Sequence, residues 1–564
     1  MNQQDDRSVK NRSRRSFLKA AGATTIASVA SAAVGIEPII SAATSSAQAQ
    51  EAASETVSER RAAIHRRNGA FSYRVETARN EFRMPIPEHV NNGDETLFPN
   101  FIGNFSKGLK HDSNGEVDPA AYGKFITAVT SGKPADFDAI PLNGTVLLVD
   151  PQAGLAFDLQ GTDSHQLSEP PSPSVAGAQR AGEMVENYWQ ALLRDVPFSQ
   201  YGSNSIAQAA MADLNNLTDF PHRNGTVTAQ NLFRANFAGL DVGPYVSQFF
   251  LPTISYGAGQ VVQQWKTYVT GIDYMTDFAS YLDCQNGIGP FAKNSVDPTV
   301  RFLRNGRDVG AWVHVDFLYQ AYFGAMLYLL QIGAPFNPGN PYVAPNPASA
   351  NQAGFGTFGG PHIQALMTEV ASRALKAQWF QKWFVHRALR PEAFGGLVHL
   401  TKTETKTYPL HSDVINSTAL PQVFAKYNSY LLPMAFPEGC PQHPAYGSGH
   451  ATVAGACITV LKAFFDERTV LPNPVVPSDD GLSLQAYTGS DTNLLTVGAE
   501  LNKLAFNVAF ARNIAGVHWR SDAEEAMKLG EAVAISILRD QKPCYNEILG
   551  EFSFTKLDGT SVTI

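Results

Sequence analysis

Two segments in the C-terminal third of the chain combine residue types that can bind an oxyanion. Residues 443–450 read HPAYGSGH, and residues 512–522 read RNIAGVHWRSD. A third segment lies upstream and contains Lys382 and the pair Arg390-Pro391. Guanidinium forks and an ammonium group bind oxyanions, and the free backbone N–H groups at the start of a helix favour an anion. The three segments together predict one site for phosphate or one of its analogues.

Histidines supply the reactive nitrogens of this predicted site. His518 and Asp522 are four residues apart, which predicts that they are neighbours on one helix face. Asp522 can accept a hydrogen bond from one ring nitrogen and leave the other as a lone pair aimed at the anion. His518 is therefore the predicted nucleophile or metal-type ligand. His450 follows the helix start at Ser448 and Gly449, where it is placed for proton transfer.

Each of these pieces is more often structural when it occurs alone. An Arg-Pro pair usually ends a helix, a Gly-Ser-Gly sequence is usually a turn, and a single histidine in an apolar helix is usually a core residue. Their joint occurrence in this order favours a shared site. The residues predicted to hold the anion are Lys382, Arg390, Ser448, Gly449 and Arg512.

The spacing of apolar residues predicts an all-α protein in which helices carry these segments. Gly516 is predicted to turn the chain, so that Arg512 ends one helix and His518 opens the next. A proline- and glycine-rich stretch at 333–361 indicates a joint between two helical regions. Strand patterns are scarce, apart from a small hairpin expected near 551–556. Helices are predicted over 175–193, 309–332, 363–385, 449–466, 495–512 and 522–538.

The predicted organisation therefore has four parts. Residues 1–49 form a leader, 50–335 an N-terminal helical region, 336–362 the joint, and 363–564 the helical region with the anion site. In the leader, Arg14 and Arg15 precede Phe-Leu-Lys and a mildly apolar run, and Ala-Gln-Ala follows at 47–49. This pattern resembles a bacterial twin-arginine signal, which predicts export to the periplasm or the medium.

Composition excludes several classes of function. The 564 residues are 44% hydrophobic and 17% charged, with a formal net charge of −8 that argues against a nucleic-acid partner. No run of 18 apolar residues follows the leader, so no membrane span is expected. The four cysteines lack zinc-ligand spacing, and one or two disulfides remain possible in an oxidising compartment.

The three segments resemble the phosphatidic-acid-phosphatase type 2 superfamily, which includes acid phosphatases and vanadium-dependent haloperoxidases. Seven residues separate Lys382 from Arg390, one more than in the phosphatase pattern, and Ala511 stands where phosphatases have serine. His443, seven positions before His450, and the sequence PEAFGG at 391–396 resemble the bromoperoxidases of algae and cyanobacteria. The resemblance runs from about residue 354 to the C-terminus.

This resemblance implies a fold of two four-helix bundles and an enzyme that binds vanadate through a nitrogen of His518. The cradle residues would hydrogen-bond the vanadate oxygens, and His450 would be the acid–base residue. His443 resembles the additional histidine of the bromoperoxidases, and Trp379 is a candidate wall of the halide pocket, although a packed helix aromatic is an equal reading. The implied partners are hydrogen peroxide, a halide (bromide above all), small organic acceptors and further copies of the chain.

Two other readings of the same residues stay open at this point. An exported acid phosphatase would use His518 to attack phosphorus and His450 to protonate the leaving alcohol. A protein that only binds phosphate or vanadate would keep the cradle without an acid–base residue, so the presence of His450 argues against it.

Overall fold

The protein is described here by a computed structural model that covers residues 57–220, 225–343, 351–548 and 550–564. The predicted leader lies outside the described residues. The chain divides into two units, Met1–Glu76 and Thr77–Ile564, and all the residues of the predicted anion site belong to the second unit. The four-part organisation predicted from the sequence stays a prediction.

Helices dominate the described residues, and the predicted all-α class is confirmed. A π-helical turn, Gln381–His386, directly extends the helix that ends at Phe380. In chain order the α-helices are α1 Val57–Arg83, α2 Asp94–Leu97, α3 Pro119–Ser131, α4 Pro134–Asp138, α5 Ala178–Leu193, α6 Ser205–Leu214, α7 Phe278–Gln285, α8 Gly306–Val315, α9 Gln320–Gln331, α10 Gly360–Phe380, α11 Pro391–Lys402, α12 Ser412–Asn416, α13 Ala419–Tyr427, α14 Gly449–Phe464, α15 Val497–Ile514 and α16 Arg520–Gln541.

Helix α14 lies at the centre of the core and packs against α10, α15 and α16. All of its residues except His450 are buried. Its close approach to α16 depends on Gly455 and Gly530, because a Cβ atom at either position would collide with a backbone carbonyl of the facing helix. The Ser448 side chain caps the N-terminus of α14 by accepting a hydrogen bond from the N–H of Ala451. The helix that begins at the predicted anion site is therefore fixed on several sides.

Five of the six helices predicted from the sequence are present with ends shifted by a few residues. The continuous helix predicted over 309–332 is wrong, because α8 ends at Val315 and α9 begins at Gln320. Asp316 has an extended backbone (φ −68°, ψ 155°), and the Gln320 side chain accepts a hydrogen bond from the N–H of Phe317 at 3.2 Å. The apolar residues have helical spacing on both sides of this break, so their pattern gave no sign of the break itself.

The strands form four separate two-stranded antiparallel sheets. The predicted C-terminal hairpin is confirmed, with Phe554 paired to Val562. The other three sheets were not predicted, since their strands have only three to six residues and no clear alternation. The paired strands are β1 Ile254–Tyr256 with β2 Gly259–Val261, β3 Trp265–Tyr268 with β4 Val296–Arg301, β5 Val475–Pro477 with β6 Leu484–Ala486, and β7 Ser553–Thr555 with β8 Ser561–Thr563.

Two expectations from composition can be compared with this fold. Within the described residues, no helix is both long and apolar enough to cross a membrane. All four cysteines lie in described segments and none forms a disulfide. Cys284, Cys440 and Cys457 are buried, whereas Cys544 is exposed. The possibility of one or two disulfides left open by the sequence is therefore not realised in this structure.

Candidate anion-binding active site

Lys382 lies on the π-helical turn that follows α10, and this turn aims its side chain into the core. π-Turns inside α-helices frequently occur at functional sites. The Lys382 Nζ donates hydrogen bonds to the carbonyl oxygens of Pro444 (2.8 Å) and Ala445 (3.0 Å), and the side chain is fully buried. Burial, reinforced by the charge of Arg390, holds the pKa of Lys382 well below its usual value.

Arg390 precedes α11 and connects the three segments identified in the sequence. Its Nε donates to the carbonyl oxygen of His443 and its Nη1 to that of Val517, at 2.8 and 2.7 Å. The same guanidinium reaches two imidazoles, with Nη2 at 2.8 Å from Nδ1 of His443 and Nη1 at 3.0 Å from Nε2 of His518. Since it is 1% exposed, Arg390 lies entirely inside the protein.

Arg512 lies in the last turn of α15, as the sequence predicted. Its Nη1 donates to the carbonyl oxygen of Val313 at 3.3 Å, and its Nε is buried without a hydrogen-bond partner among the described residues. Its guanidinium carbon lies 5.5 Å from the centre of the Phe436 ring. Burial lowers the pKa of Arg512 to about 10.

These three cations share a property that decides what the site can bind. Within the described residues none of them forms an ion pair with a carboxylate, and their side chains bond mainly to backbone carbonyls. Burying a charge without a counter-charge is strongly unfavourable, and here three like charges also repel one another. The site therefore favours a multiply charged anion with several oxygens.

His518 is oriented by Asp522 in a manner that differs from the prediction. The helix α16 begins at Arg520, so His518 precedes it and the two side chains do not share a helix face. Asp522 reaches back over the helix start and accepts hydrogen bonds from His518 Nδ1 at 2.8 Å and from the Trp519 N–H at 3.2 Å. Because Nδ1 carries the hydrogen, Nε2 is the ring nitrogen with the free lone pair, and it lies beside Arg390.

Burial sets the protonation of this pair. It holds the pKa of His518 well below 6.5, with Arg390 and Lys382 acting in the same direction, so that the imidazole is neutral and can serve as a ligand. Burial also raises the pKa of Asp522 to about 6, against the opposing effect of Arg180 and Lys382.

Ser448 and Gly449 bring the N-terminus of α14 to the same place. The Ser448 N–H donates to the carbonyl oxygen of Asp522 at 2.9 Å, which ties the helix start to the segment that carries His518. A Cβ atom at Gly449 would lie 3.0 Å from the ring of Trp379 and from Leu375, so a larger residue would crowd the helix start. The first N–H groups of this 16-residue helix supply an anion-binding end.

His450 is held by a carboxylate that sequence reasoning missed. Its Nε2 lies 3.0 Å from Oδ1 of Asp316, in the extended break between α8 and α9. The His450 side chain is 19% exposed, whereas that of Asp316 is 3% exposed. The one signal in the sequence was that Asp316 is the only acidic residue in the apolar stretch predicted as a helix over 309–332.

His443 and Trp379 form one wall beside the cradle. Their ring centres are 4.9 Å apart, and Lys382 Nζ lies 5.6 Å from the centre of the Trp379 ring. The indole nitrogen of Trp379 donates to the carbonyl oxygen of Val149 at 3.1 Å, which fixes the plane of the ring. Burial, together with Arg390, holds the pKa of His443 well below 6.5. All ten residues singled out from the sequence thus lie on elements that the structure brings together.

Comparisons with known proteins identify the family. Residues 362–547 match a family model described as the VCPO second helical-bundle domain. A vanadium-dependent bromoperoxidase of Corallina pilulifera is 35% identical over 594 residues, covering 88% of this chain and 98% of the relative. The chain belongs to the vanadium-dependent bromoperoxidase family. The bromoperoxidase of Ascophyllum nodosum is also 35% identical, over 85% of this chain and 89% of its own.

A solved structure of the same family has the same fold. The second vanadate-dependent bromoperoxidase of Ascophyllum nodosum, described as homohexameric, superimposes with a TM-score of 0.84 at 32% identity, covering 88% of this chain and 90% of that one. The predicted helical fold of the vanadium haloperoxidases is thereby confirmed. Family membership also favours the haloperoxidase reading of the sequence over the phosphatase reading.

Proposed function

We propose that this protein, with vanadate bound, oxidises bromide with hydrogen peroxide and so produces hypobromous acid that halogenates small organic acceptors. The observation that carries the proposal is the set of three buried cations around the lone pair of His518, none of which has a carboxylate partner in the part of the chain that the structure describes. A neutral ligand nitrogen and a surplus of positive charge fit a vanadate anion. Membership of the bromoperoxidase family gives the anion its identity.

In this proposal each cradle residue has a stated task. His518 Nε2 is the ligand atom, because Asp522 holds the proton on Nδ1. Arg390 lies within 3.0 Å of that nitrogen and positions an oxygen of the anion. When bound, vanadate supplies a Lewis acid that polarises hydrogen peroxide without changing its own oxidation state. The other residues that would hold its oxygens are Lys382, Arg512, Ser448 and the N–H of Gly449.

His450 is proposed to move the protons. Its Nε2 is engaged by Asp316, which fixes the ring and leaves Nδ1 to exchange a proton with the incoming peroxide. Partial exposure gives this imidazole contact with solvent, so it can be re-protonated between turnovers. The buried His443 and Trp379, side by side, are proposed to border the halide.

Halogenation of a phenolic dye tests the function directly. The purified mature protein is dialysed against EDTA in phosphate and assayed with hydrogen peroxide and bromide before and after orthovanadate is restored. We expect activity to disappear on dialysis and to return with vanadate, and exchange of the halide then ranks bromide against iodide and chloride. Release of phosphate from a monoester, inhibited by vanadate and without any halogenation, would assign the protein to the phosphatases.

Export and assembly complete the proposal. The twin-arginine pattern before residue 49 supports transport of the folded protein, and the homohexameric relative supports assembly into an oligomer. Replacement of Arg14 and Arg15 by lysine should retain the precursor in the cytoplasm, as seen by fractionation of the producing cells. Light scattering of the mature protein should give a multiple of the subunit mass. A monomer would contradict the assembly.

A further inference from the structure

A further histidine–carboxylate pair lies beside the cradle, and the proposed reaction does not use it. His314 is in the last turn of α8, and its Nε2 lies 2.5 Å from Oε1 of Glu438. Its other ring nitrogen, Nδ1, lies 2.5 Å from the hydroxyl of Tyr268 and 3.2 Å from Nδ2 of Asn294. Because both ring nitrogens are engaged, the imidazole is fixed in one plane.

This pair is packed against the Arg512 end of the cradle. The His314 ring stacks on the ring of Phe436, with centres 3.8 Å apart and planes inclined by 7°. The guanidinium carbon of Arg512 lies 5.5 Å from the centre of the same phenyl ring. The residue before His314, Val313, accepts a hydrogen bond from Arg512 at its carbonyl oxygen. The end of α8 and a single aromatic ring thus connect the pair to the anion site.

Solvent comes closest to the cradle on this side. Arg512 is 8% exposed, whereas the other two cations and the proposed ligand His518 are at most 2% exposed. The side chains of His314 and Glu438 are themselves 19% and 36% exposed. An anion that moves from solvent to Arg512 therefore passes close to the pair.

An uncompensated Glu438 carboxylate would oppose this movement, since a negative potential in a cleft lowers the local concentration of anions. Burial lowers the pKa of Arg512 to about 10, and the charge of Glu438 is one of those that oppose this shift. Lys107 binds the carbonyl oxygen of Glu438 at 2.9 Å, but its own charge is matched by Glu392 at 2.6 Å. Among the described residues, only His314 forms an ion pair with the Glu438 carboxylate.

We infer that His314 determines the affinity for the halide: as an imidazolium it cancels the charge of Glu438 beside the route to Arg512, so that bromide can approach. The inference rests on the proposed function, which makes bromide the anion that enters. Hydrogen peroxide is neutral and does not respond to this charge. His314 therefore acts on one of the two substrates, which a purely structural link between α8 and the Glu438 segment would not do.

Steady-state kinetics of the vanadate-loaded protein test this selectivity. His314→Gln keeps a hydrogen-bond donor for Glu438 but carries no charge. At low ionic strength its KM for bromide should rise about threefold to tenfold, because one partly screened negative charge is uncovered. Its kcat and its KM for hydrogen peroxide should stay near those of wild type. The KM ratio to wild type should return to near one in about 1 M sodium nitrate, where charges are screened beyond about 3 Å.

Two results of this experiment would overturn the inference. One is a similar rise in the KM values for bromide and for hydrogen peroxide, and the other is a rise for bromide that persists in high salt. Either would show that His314→Gln changes the shape of the site and not its charge.

Removal of the carboxylate gives a second arm. Glu438→Gln should not raise the KM for bromide, and the double variant His314→Gln/Glu438→Gln should return it close to wild type, because no uncompensated charge remains. A double variant with the KM of His314→Gln would contradict the inference. Arg468→Gln is the matched control, since Arg468 is 75% exposed and pairs with Asp466 beyond the far end of α14, and it should leave the KM for bromide unchanged.

Phosphate binding separates this inference from the proposed function. Calorimetry of inorganic phosphate with the vanadate-free protein needs no turnover, and at low salt His314→Gln should weaken the binding whereas Arg468→Gln should not. If the wild type oxidises no bromide but His314→Gln weakens phosphate binding, the proposed function fails while the role of His314 toward anions is supported. If bromide is oxidised and His314→Gln changes neither its KM nor phosphate binding, the inference is wrong.

Discussion

The His518–Asp522 pair and the His450–Asp316 pair share one chemistry in two different surroundings. In the first pair the nitrogen–oxygen distance is 2.8 Å and the side chains are 2% and 0% exposed. In the second the distance is 3.0 Å and the imidazole is 19% exposed. The first carboxylate is four residues from its histidine, whereas the second is 134 residues away.

This difference fits the roles proposed above, in which His518 is a fixed ligand and His450 exchanges protons. Asp522 also caps the start of α16, so the position of His518 is set by local backbone geometry. Asp316 lies instead on a short break between two helices, and the pair depends on how α8, α9 and α14 pack. A carboxylate that orients an imidazole can therefore serve metal binding or proton transfer, and access to solvent decides which.

Removal of the fixed ligand should have the largest effect. His518→Ala is expected to abolish retention of vanadium after gel filtration, because it removes the nitrogen proposed to bind the metal. Metal analysis of the eluted protein measures this directly. The protein should remain folded by circular dichroism, and equal vanadium content in wild type and variant would refute the ligand assignment.

Loss of the proton-exchanging imidazole should leave vanadium in place. His450→Ala is expected to retain vanadate but to lower kcat by about 10²- to 10⁴-fold, the usual contribution of a general acid–base. Steady-state bromination with metal content measured on the same sample separates the two effects. A variant that loses vanadium and activity together would show that His450 binds rather than transfers protons.

The two carboxylates should differ in what they affect. Asp522→Asn is expected to weaken vanadate binding by about 10- to 100-fold, as other substitutions behind a metal-bound histidine do. Asp316→Asn should instead lower kcat, by about tenfold, and leave vanadate affinity close to the wild type. Titration of the vanadate-free protein with vanadate, followed by activity, measures both. The same response in both variants would remove the distinction between the pairs.

His386 shows what burial does to a histidine without a carboxylate, and it predicts an effect on stability instead of on turnover. It is 2% exposed, neither ring nitrogen has a partner among the described residues, and burial lowers its pKa to about 3. The unfolded chain therefore binds this proton below pH 6.5 while the folded protein does not. Stability should fall by about 1.4 kcal/mol per pH unit between pH 6.5 and 3.

Thermal unfolding checks this slope. His386→Phe keeps the aromatic contact with Tyr446, whose ring centre is 4.8 Å away, and removes the titrating group. The variant should gain in Tm relative to wild type as the pH falls from 6.5 to 4. A constant difference between the two proteins across this range would contradict the prediction.

The cradle could be predicted from the sequence because its parts are local. Arg512, Gly516 and His518 lie on one short segment, and their order predicts a helix end and a turn, both present in the structure, followed by the residue that is proposed as the ligand. The partner of His450 could not be predicted, because Asp316 reaches it only after α8 and α14 have packed. Helical spacing continued through the break after Val315, since apolar periodicity records which faces are buried and not where the backbone leaves the helix.

The short sheets were missed for a related reason. Strands such as Ile254–Tyr256 have three residues, too few for alternation to stand out, and they are stabilised by the helices they lie on. Trp379 illustrates a third limit of prediction from sequence. Its neighbours in sequence indicate a packed helix aromatic, and only the fold shows that the ring also covers the start of α14 at Gly449.

The burial of the cysteines bears on how long such a catalyst can work. Hypobromous acid attacks sulfur, and the thiolate is the form that reacts. Cys284, Cys440 and Cys457 are at most 1% exposed, and burial raises the pKa of each thiol, that of Cys284 to about 12. Three of the four thiols are thus kept from the protein's own product. The fourth, Cys544, is exposed and is therefore the thiol that hypobromous acid in solution can reach.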